Sequence, residues 1–225
     1  MRAGSGVGLS TVMTISFGGG RTILYRPAGI LTASPSPADT IEPMSRPPHA
    51  RESVLDAFAQ ILMDDGERAA TMDATARAAG VSKGGLLYHF ATKDALEAAL
   101  IERLRVLVDQ DVEEISNAPE GVVAAYVRTS MMEGTALDRA LLGVSRLAQG
   151  GSPAAGTALH EIRERWADAV RPHVRDETAL RLVLLVSDGL YFNNLLDATA
   201  SGPLADSSEL DALAALVRDV TAPGD

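Results

Sequence analysis

Residues 71–93 read TMDATARAAGVSKGGLLYHFATK, from Thr71 to Lys93. Two short helices and the start of a third are written into this stretch. Ala76, Ala79 and Val81 are small or apolar at helical spacing, so the first two helices can approach closely. Gly80 stands where the first helix must stop, because glycine takes a left-handed C-cap without steric penalty. Ser82 is placed to cap the second helix, its hydroxyl meeting an unpaired backbone N–H. Thr92 is placed in the same way before the helix that opens at Lys93. An alanine-packed helix pair across a short glycine turn is a helix-turn-helix, the arrangement whose second helix enters the major groove of DNA.

Charge agrees with that arrangement. No acidic residue lies between Asp73 and Asp94, while Arg77, Lys83, His89 and Lys93 do. Lys83 and Lys93 are the only lysines in the chain. In a protein of net charge −10 they form a local basic face, which phosphate contact needs whatever the overall charge. The C-terminal half carries most of the negative charge, so a nucleic-acid surface belongs to residues 46–100.

The string AGVSKGGLLYHFATKDAL, within residues 51–100, resembles the tetracycline-repressor-like (TetR) family of bacterial regulators. Glycine, serine, lysine, glycine, aromatic, histidine and aromatic fall in the family's order. Thr75 departs from the pattern, since the family more often has a larger aliphatic residue there. The resemblance implies that Ser82, Lys83, Gly84, Gly85, Leu87, Tyr88 and His89 lie at or near DNA. Each has a matching chemistry. Gly84 and Gly85 let the helix backbone approach the groove floor, and Leu87 can touch a thymine methyl group. Lys83, Tyr88, His89 and Lys93 suit phosphate oxygens. Thr71 and Met72 open the preceding helix, where the N-terminal dipole favours a phosphate. Leu86 and Phe90 are read as core.

Outward from this stretch, the composition admits one or two small domains with a real core, and 46% of residues are hydrophobic. Cysteine is absent, which excludes disulfides and thiolate chemistry and fits a reducing cytoplasm. No run approaches about 18 apolar residues, so no transmembrane helix and no membrane partner are expected. Residues 1–48 are rich in glycine and proline without a helical stripe. They read as a disordered tail, or as a mis-assigned start with Met44 the true beginning. The stretch from Val7 to Tyr25 alternates like a strand, with nothing evident to pair with.

Val54, Leu55, Phe58, Ile61 and Leu62 mark an amphipathic helix that braces the helix-turn-helix. From Lys93 the apolar positions Leu96, Leu100, Leu104 and Leu107 continue for about 23 residues, roughly 35 Å of helix. It is the natural mechanical link from DNA to a distant domain. Further helices are expected from Pro119 and Glu120 to Met132, Thr135 to Gln149, Ser152 to about Val170, and Asp176 to about Ala198. A last one runs to Val220 behind an Asp206–Glu209 capping box. The expected fold is all-α. Residues 49–93 form a three-helix DNA-binding head, with the helix-turn-helix at about 71–90, and residues 94–225 a helical regulatory and dimerisation body.

The resemblance implies a body that binds a small molecule. Candidate pocket residues are Arg128, Met131, Met132, Trp166, Asp188, Tyr191, Phe192, Asn193 and Asn194. Two asparagines follow two aromatics inside an apolar helix, and buried amides need partners. The other reading makes these residues ordinary core or subunit interface. Asp109 to Glu114 reads as a solvated helix face, since it lacks calcium-loop spacing. His160 to Glu164 lacks the second histidine of a zinc-protease helix. No metal site, cofactor or catalytic residue is expected.

The function implied is a cytoplasmic, homodimeric transcriptional regulator, a repressor released from a near-palindromic double-stranded operator by a small-molecule effector. The resemblance also implies that the last two helices of each subunit form a four-helix interface, consistent with apolar residues over Thr178–Leu196 and Leu210–Val217. Alternatives are a regulator controlled by a protein partner, and a helical enzyme with a vestigial DNA-binding head.

Overall fold

The computed structural model describes residues 13–17, 21–25, 47–131, 133–197 and 207–224. It divides into two compact units, Met1–Met44 and Ser45–Asp225. In the first, β1 (Met13–Phe17) pairs antiparallel with β2 (Arg21–Tyr25), with Met13 opposite Tyr25 and Phe17 opposite Arg21. The strand-like stretch therefore has a partner after all, itself. Gly18–Gly20 split one alternating run into two strands, and the sequence reading had treated it as one.

The second unit is all-α. Its helices are α1 (Pro47–Asp65), α2 (Met72–Ala78), α3 (Lys83–His89), α4 (Lys93–Ser116), α5 (Val122–Thr129), α6 (Ala136–Gln149), α7 (Pro153–Val170), α8 (Glu177–Asp197) and α9 (Ser207–Thr221). A 3₁₀ turn, Arg171–His173, joins α7 to α8. Among the described residues, no helix is long and apolar enough to cross a membrane.

One helix, α5, differs from expectation. Pro119 and Glu120 precede α5 rather than opening it. Gly121 takes φ 90° as its N-cap, a conformation only glycine adopts freely, and the helix starts at Val122. It ends at Thr129, three residues before the expected Met132, which lies outside the described residues. The expected capping residue of α9, Asp206, also lies outside them.

The packing explains how the parts are held. Val54, Leu55, Phe58 and Leu62 of α1 share one core with Leu96, Leu100 and Leu104 of α4, Val144 and Leu147 of α6, and Ile162 of α7. The core thus runs without a break from the helices around residues 71–90 into the body. The helices approach closely at Gly143 of α6. A Cβ there would stand 3.2 Å from Leu100 Cδ2 and 3.4 Å from Ala59 Cβ, so α6 rests tightly against α1 and α4 and a methyl group would push its neighbours aside.

A second core joins α5, α8 and α9 through Val123, Val127, Leu180, Val183, Leu210, Ala214 and Val217. Leu210 and Val217 therefore face inward, and the stripe expected over Leu210–Val217 divides in two. Leu216 and Val220 of α9 face outward, as do Leu182, Leu185 and Phe192 of α8. The outward residues of α8 recur at helical spacing, one apolar stripe that the described residues do not cover.

Candidate nucleic-acid interface and body cavity

The turn between α2 and α3 is built as its residue types require. Gly80 has φ 68°. Its N–H donates to the Arg77 carbonyl at 3.2 Å, and the Val81 N–H donates to the Ala76 carbonyl at 3.0 Å. These two bonds satisfy carbonyls that the end of α2 would otherwise leave free, the glycine-terminated arrangement known as a Schellman motif. The hydroxyls of Thr71, Ser82 and Thr92 accept from Ala74, Gly85 and Ala95 N–H at 3.2, 3.0 and 3.1 Å. Thr75, the departure from the family pattern, is fully buried, and its hydroxyl donates to the Thr71 carbonyl at 2.9 Å. The smaller polar residue is thereby accommodated without an orphaned group.

On α3, Leu86 and Phe90 are buried, as read from the sequence. Leu87 and Tyr88 turn outward, and Tyr88 is 82% exposed. The Tyr88 ring stands edge-on to His89, centroids 5.1 Å apart. Gly84 is exposed, and a Cβ there would meet only the Ser82 hydroxyl at 4.0 Å. Nothing inside the protein requires a glycine at that position. Lys83 is exposed and reaches Asp73 at 2.9 Å, a surface pair that holds it weakly.

Met72 opens α2 behind Thr71 as expected, while Lys93 differs from its expected surroundings. Met72 is half-buried and packs against the core, so its side chain is structural. Lys93 is two-thirds buried. Its ammonium donates to Glu67 Oε1 at 3.1 Å and to the Glu67 carbonyl at 3.3 Å, and lies 3.7 Å from Glu97. It ties the segment after α1 to the first turn of α4. Burial lifts the Glu97 carboxyl above its ordinary range, with Lys93 acting against that shift. Arg77, absent from the predicted set, is exposed on α2, and no carboxylate pairs with it among the described residues.

The body holds a cavity of about 150 Å³. Tyr126 of α5, Trp166 of α7 and Tyr191 of α8 give it aromatic walls, and Leu137 and Leu141 of α6 an aliphatic one. Three carboxylates, Asp111, Asp138 and Asp188, and the hydroxyls of Thr129, Ser130 and Ser187 complete it. Asp138 accepts from the Thr135 N–H at 2.8 Å, the Thr135 hydroxyl at 3.0 Å and the Glu133 N–H at 3.2 Å, capping α6. Asp188 pairs with Arg163 at 2.6 Å. Asp111 accepts from the Trp166 indole at 2.8 Å. Burial raises its pKa above the ordinary aspartate range, the indole bond acting against it. Burial likewise raises the Tyr126 and Tyr191 phenols. The hydroxyl of Ser187, a residue 2% exposed, and that of Tyr191 are both buried and have no hydrogen-bond partner among the described residues.

Of the predicted pocket residues, Trp166, Asp188 and Tyr191 line this cavity. Arg128 instead bridges α5 to Glu120 and to Asp211 of α9, the latter at 3.0 Å. With Met131 it borders an adjoining surface groove that shares Asp111, Thr129, Leu137 and Asp138 with the cavity. Phe192 is 58% exposed, and Asn193 faces solvent with its amide donating to the Gly189 carbonyl at 2.7 Å. The helix continues through Asn194, whose side chain lies outside the described residues, as does Met132. Asp111 corrects the reading of residues 109–114 as a solvated face. It turns inward from α4 to meet Trp166, and only the neighbours on the outer face are solvated. Tyr126 and Ser187 were also missed. They carry no local signal, since each looks like core until α5, α7 and α8 are brought together.

Among the described residues, no group of histidines and carboxylates could hold a metal ion.

A family model described as "Bacterial regulatory proteins, tetR family" matches residues 54–100. A second, "Tetracyclin repressor-like, C-terminal domain", matches residues 120–218, so that the two together span most of the chain. No curated protein matches the chain. Solved structures similar to it include a transcriptional regulator from Rhodococcus sp. Rha1, 21% identical, covering 76% of this chain and 95% of that one, TM-score 0.54. Salmonella enterica GusR is 17% identical over 79% and 98% of the two chains, TM-score 0.56. The multidrug binding protein EbrR, complexed with malachite green, is 21% identical over 77% and 98%, TM-score 0.55. At these identities the likeness is one of fold.

Proposed function

The chain belongs to the tetR family of bacterial regulatory proteins, and on that premise we propose that it is a dimeric, operator-binding transcriptional regulator controlled by a small molecule. The observation that carries the DNA-binding part is the outer face of α3. Tyr88 and Leu87 stand in solvent beside Lys83, on a helix with no acidic residue, in a chain of net charge −10. An exposed aromatic and an exposed leucine on a seven-residue helix are surface held for a partner. In this reading Lys83, Tyr88, His89 and Arg77 hold phosphates, Leu87 and the bare backbone at Gly84 and Gly85 meet base edges, and Ser82 and Thr71 set the helix ends.

The uncovered stripe of Leu182, Leu185 and Phe192, with Leu216 and Val220 of α9, supports pairing of two subunits through α8 and α9. Two recognition helices related by a two-fold axis read a near-palindromic site, with half-site centres about one helical turn, roughly 34 Å, apart or a multiple of it. The cavity supports a small effector over a protein partner, because its unpartnered hydroxyls are buried where no protein surface reaches. EbrR, with its bound dye, is a multidrug binding protein of this fold.

The route from cavity to DNA runs through two helices. α4 carries Asp111 near its far end and begins at Lys93 beside the head. α6 lines the cavity with Leu137, Asp138 and Leu141 and abuts α1 at Gly143. Effector binding that displaces either helix alters the spacing of the two heads and lowers operator affinity. By linkage, operator DNA weakens effector binding by the same factor.

The test is selection of oligonucleotides from a random pool by purified protein, followed by titration across salt concentrations. A near-palindromic consensus and a steep salt dependence are expected, and Lys83→Ala should reduce the logarithmic salt slope by about one per site contacted. Failure to enrich any sequence over competitor DNA would overturn the assignment.

A further inference from the structure

We propose that the body cavity takes a small organic cation, an amine whose ammonium group is received by Asp111 and whose apolar part packs between Tyr126, Trp166 and Tyr191. The proposal rests on reading the cavity as the effector site. It follows from an accounting of each polar group that lines the cavity.

Three carboxylates face this space, and among the described residues no lysine, arginine or histidine lines it. An anionic ligand would add a fourth negative charge with nothing to receive it. Two of the three carboxylates are already satisfied. Asp138 takes three backbone and hydroxyl donors on Oδ2 at the start of α6, and Asp188 is paired with Arg163. Asp111 is different. One of its oxygens accepts from the Trp166 indole, and neither has a cation within reach among the described residues. A part-buried carboxylate with a single donor is under-satisfied, and an ammonium group is the donor that completes it.

The remaining groups fit the same ligand. The Ser187 and Tyr191 hydroxyls, buried and unpartnered, offer lone pairs to an ammonium, which has three N–H donors. The Tyr126 and Trp166 rings lie 6.3 Å apart at 45°, and aromatic faces attract a cation as well as an apolar ring. Size sets the remaining limit. A cavity of about 150 Å³ accepts a molecule the size of benzene, so the apolar part is about one six-membered ring or a short alkyl chain.

Trp166 is the only tryptophan in the chain, and it forms part of the cavity wall, so its fluorescence reports occupancy directly. Three isosteric probes separate the charge classes: benzylamine, benzyl alcohol and benzoate. Benzylamine should give a saturable change and bind about 10- to 100-fold more tightly than benzyl alcohol, with benzoate weakest. Asp111→Asn keeps an acceptor for the indole and should bring benzylamine down to the level of benzyl alcohol, leaving the alcohol within about twofold. The proposal is overturned if benzoate binds as well as benzylamine, if benzylamine gives no saturable change, or if Asp111→Asn leaves the preference intact. The wild-type comparison stands without the variant. Operator release is followed separately by anisotropy of labelled DNA. Benzylamine bound to Trp166 without operator release would refute the effector reading and leave the ligand class standing.

Discussion

Gly84→Ala should make the protein more stable and a worse DNA binder. The two signs come from different surroundings of one atom. A Cβ at Gly84 would meet nothing within the protein closer than the Ser82 hydroxyl at 4.0 Å, and the position is exposed within α3. Alanine then gains up to about 1 kcal/mol of helix propensity over glycine. For a domain of this size that raises Tm by about 2–4 °C. On the DNA side the same methyl group occupies space through which the helix backbone approaches the groove. Forcing a methyl group into a packed contact costs about 1–3 kcal/mol, or about 5- to 150-fold in affinity. The assay pairs thermal melting by circular dichroism with anisotropy on the selected operator. Gly85→Ala is the control. Its Cβ would press the Ser82 hydroxyl at 3.3 Å, the group that caps α3, so the stability gain should be smaller or absent. An unchanged operator affinity in Gly84→Ala would mean that this face of α3 does not approach DNA. A lowered Tm would mean that the glycine has an internal purpose.

Gly143→Ala inserts a methyl group 3.2 Å from Leu100 and 3.4 Å from Ala59, so it should cost about 1–3 kcal/mol of stability and shift the effector concentration for operator release; an unaltered melting curve would show that α6 does not rest tightly on α1. Leu185→Glu changes a side chain 59% exposed, so the fold should persist while sedimentation reports monomers and operator binding falls to the half-site level; a stable dimer would place the interface elsewhere. Asp111→Asn tests the part-buried carboxyl through pH. Burial raises its pKa in the folded state above that of the unfolded chain, so ionisation destabilises the fold increasingly as pH rises from the unfolded value and fully above the folded one. The variant should therefore melt higher than wild type at neutral pH, with the difference closing below about pH 4, where wild type is protonated in both states. A gain that persists undiminished in acid would assign it to packing rather than charge.

The head was readable because its information is local. Thr71, Ser82 and Thr92 each cap a helix through a backbone N–H three residues on, and Gly80 ends α2 through bonds to residues within five positions. The cavity was only half readable because its information is not local. Asp111 and Trp166 are separated by 55 residues and joined by one hydrogen bond, so neither is distinguished by its neighbours in the chain. Asn193 attracted attention as a polar residue in an apolar helix, yet it faces solvent, because α8 is apolar on two faces for two reasons. Val183 packs on α5 and α9 within the subunit, while Leu185 and Phe192 face away from it.

Lys93 shows the same limit from the other side. Composition marks both lysines as equals, but only Lys83 stands in solvent with a single weak partner. Lys93 joins Glu67, beyond α1, to Glu97 in the first turn of α4, in a site where each carboxylate is one-third exposed or less. In the proposed mechanism a charge held there acts on DNA binding less through its own ammonium than through what it fastens. It fixes the start of the helix whose other end carries Asp111, and so sets the geometry at the point where displacement in the body becomes displacement of the head.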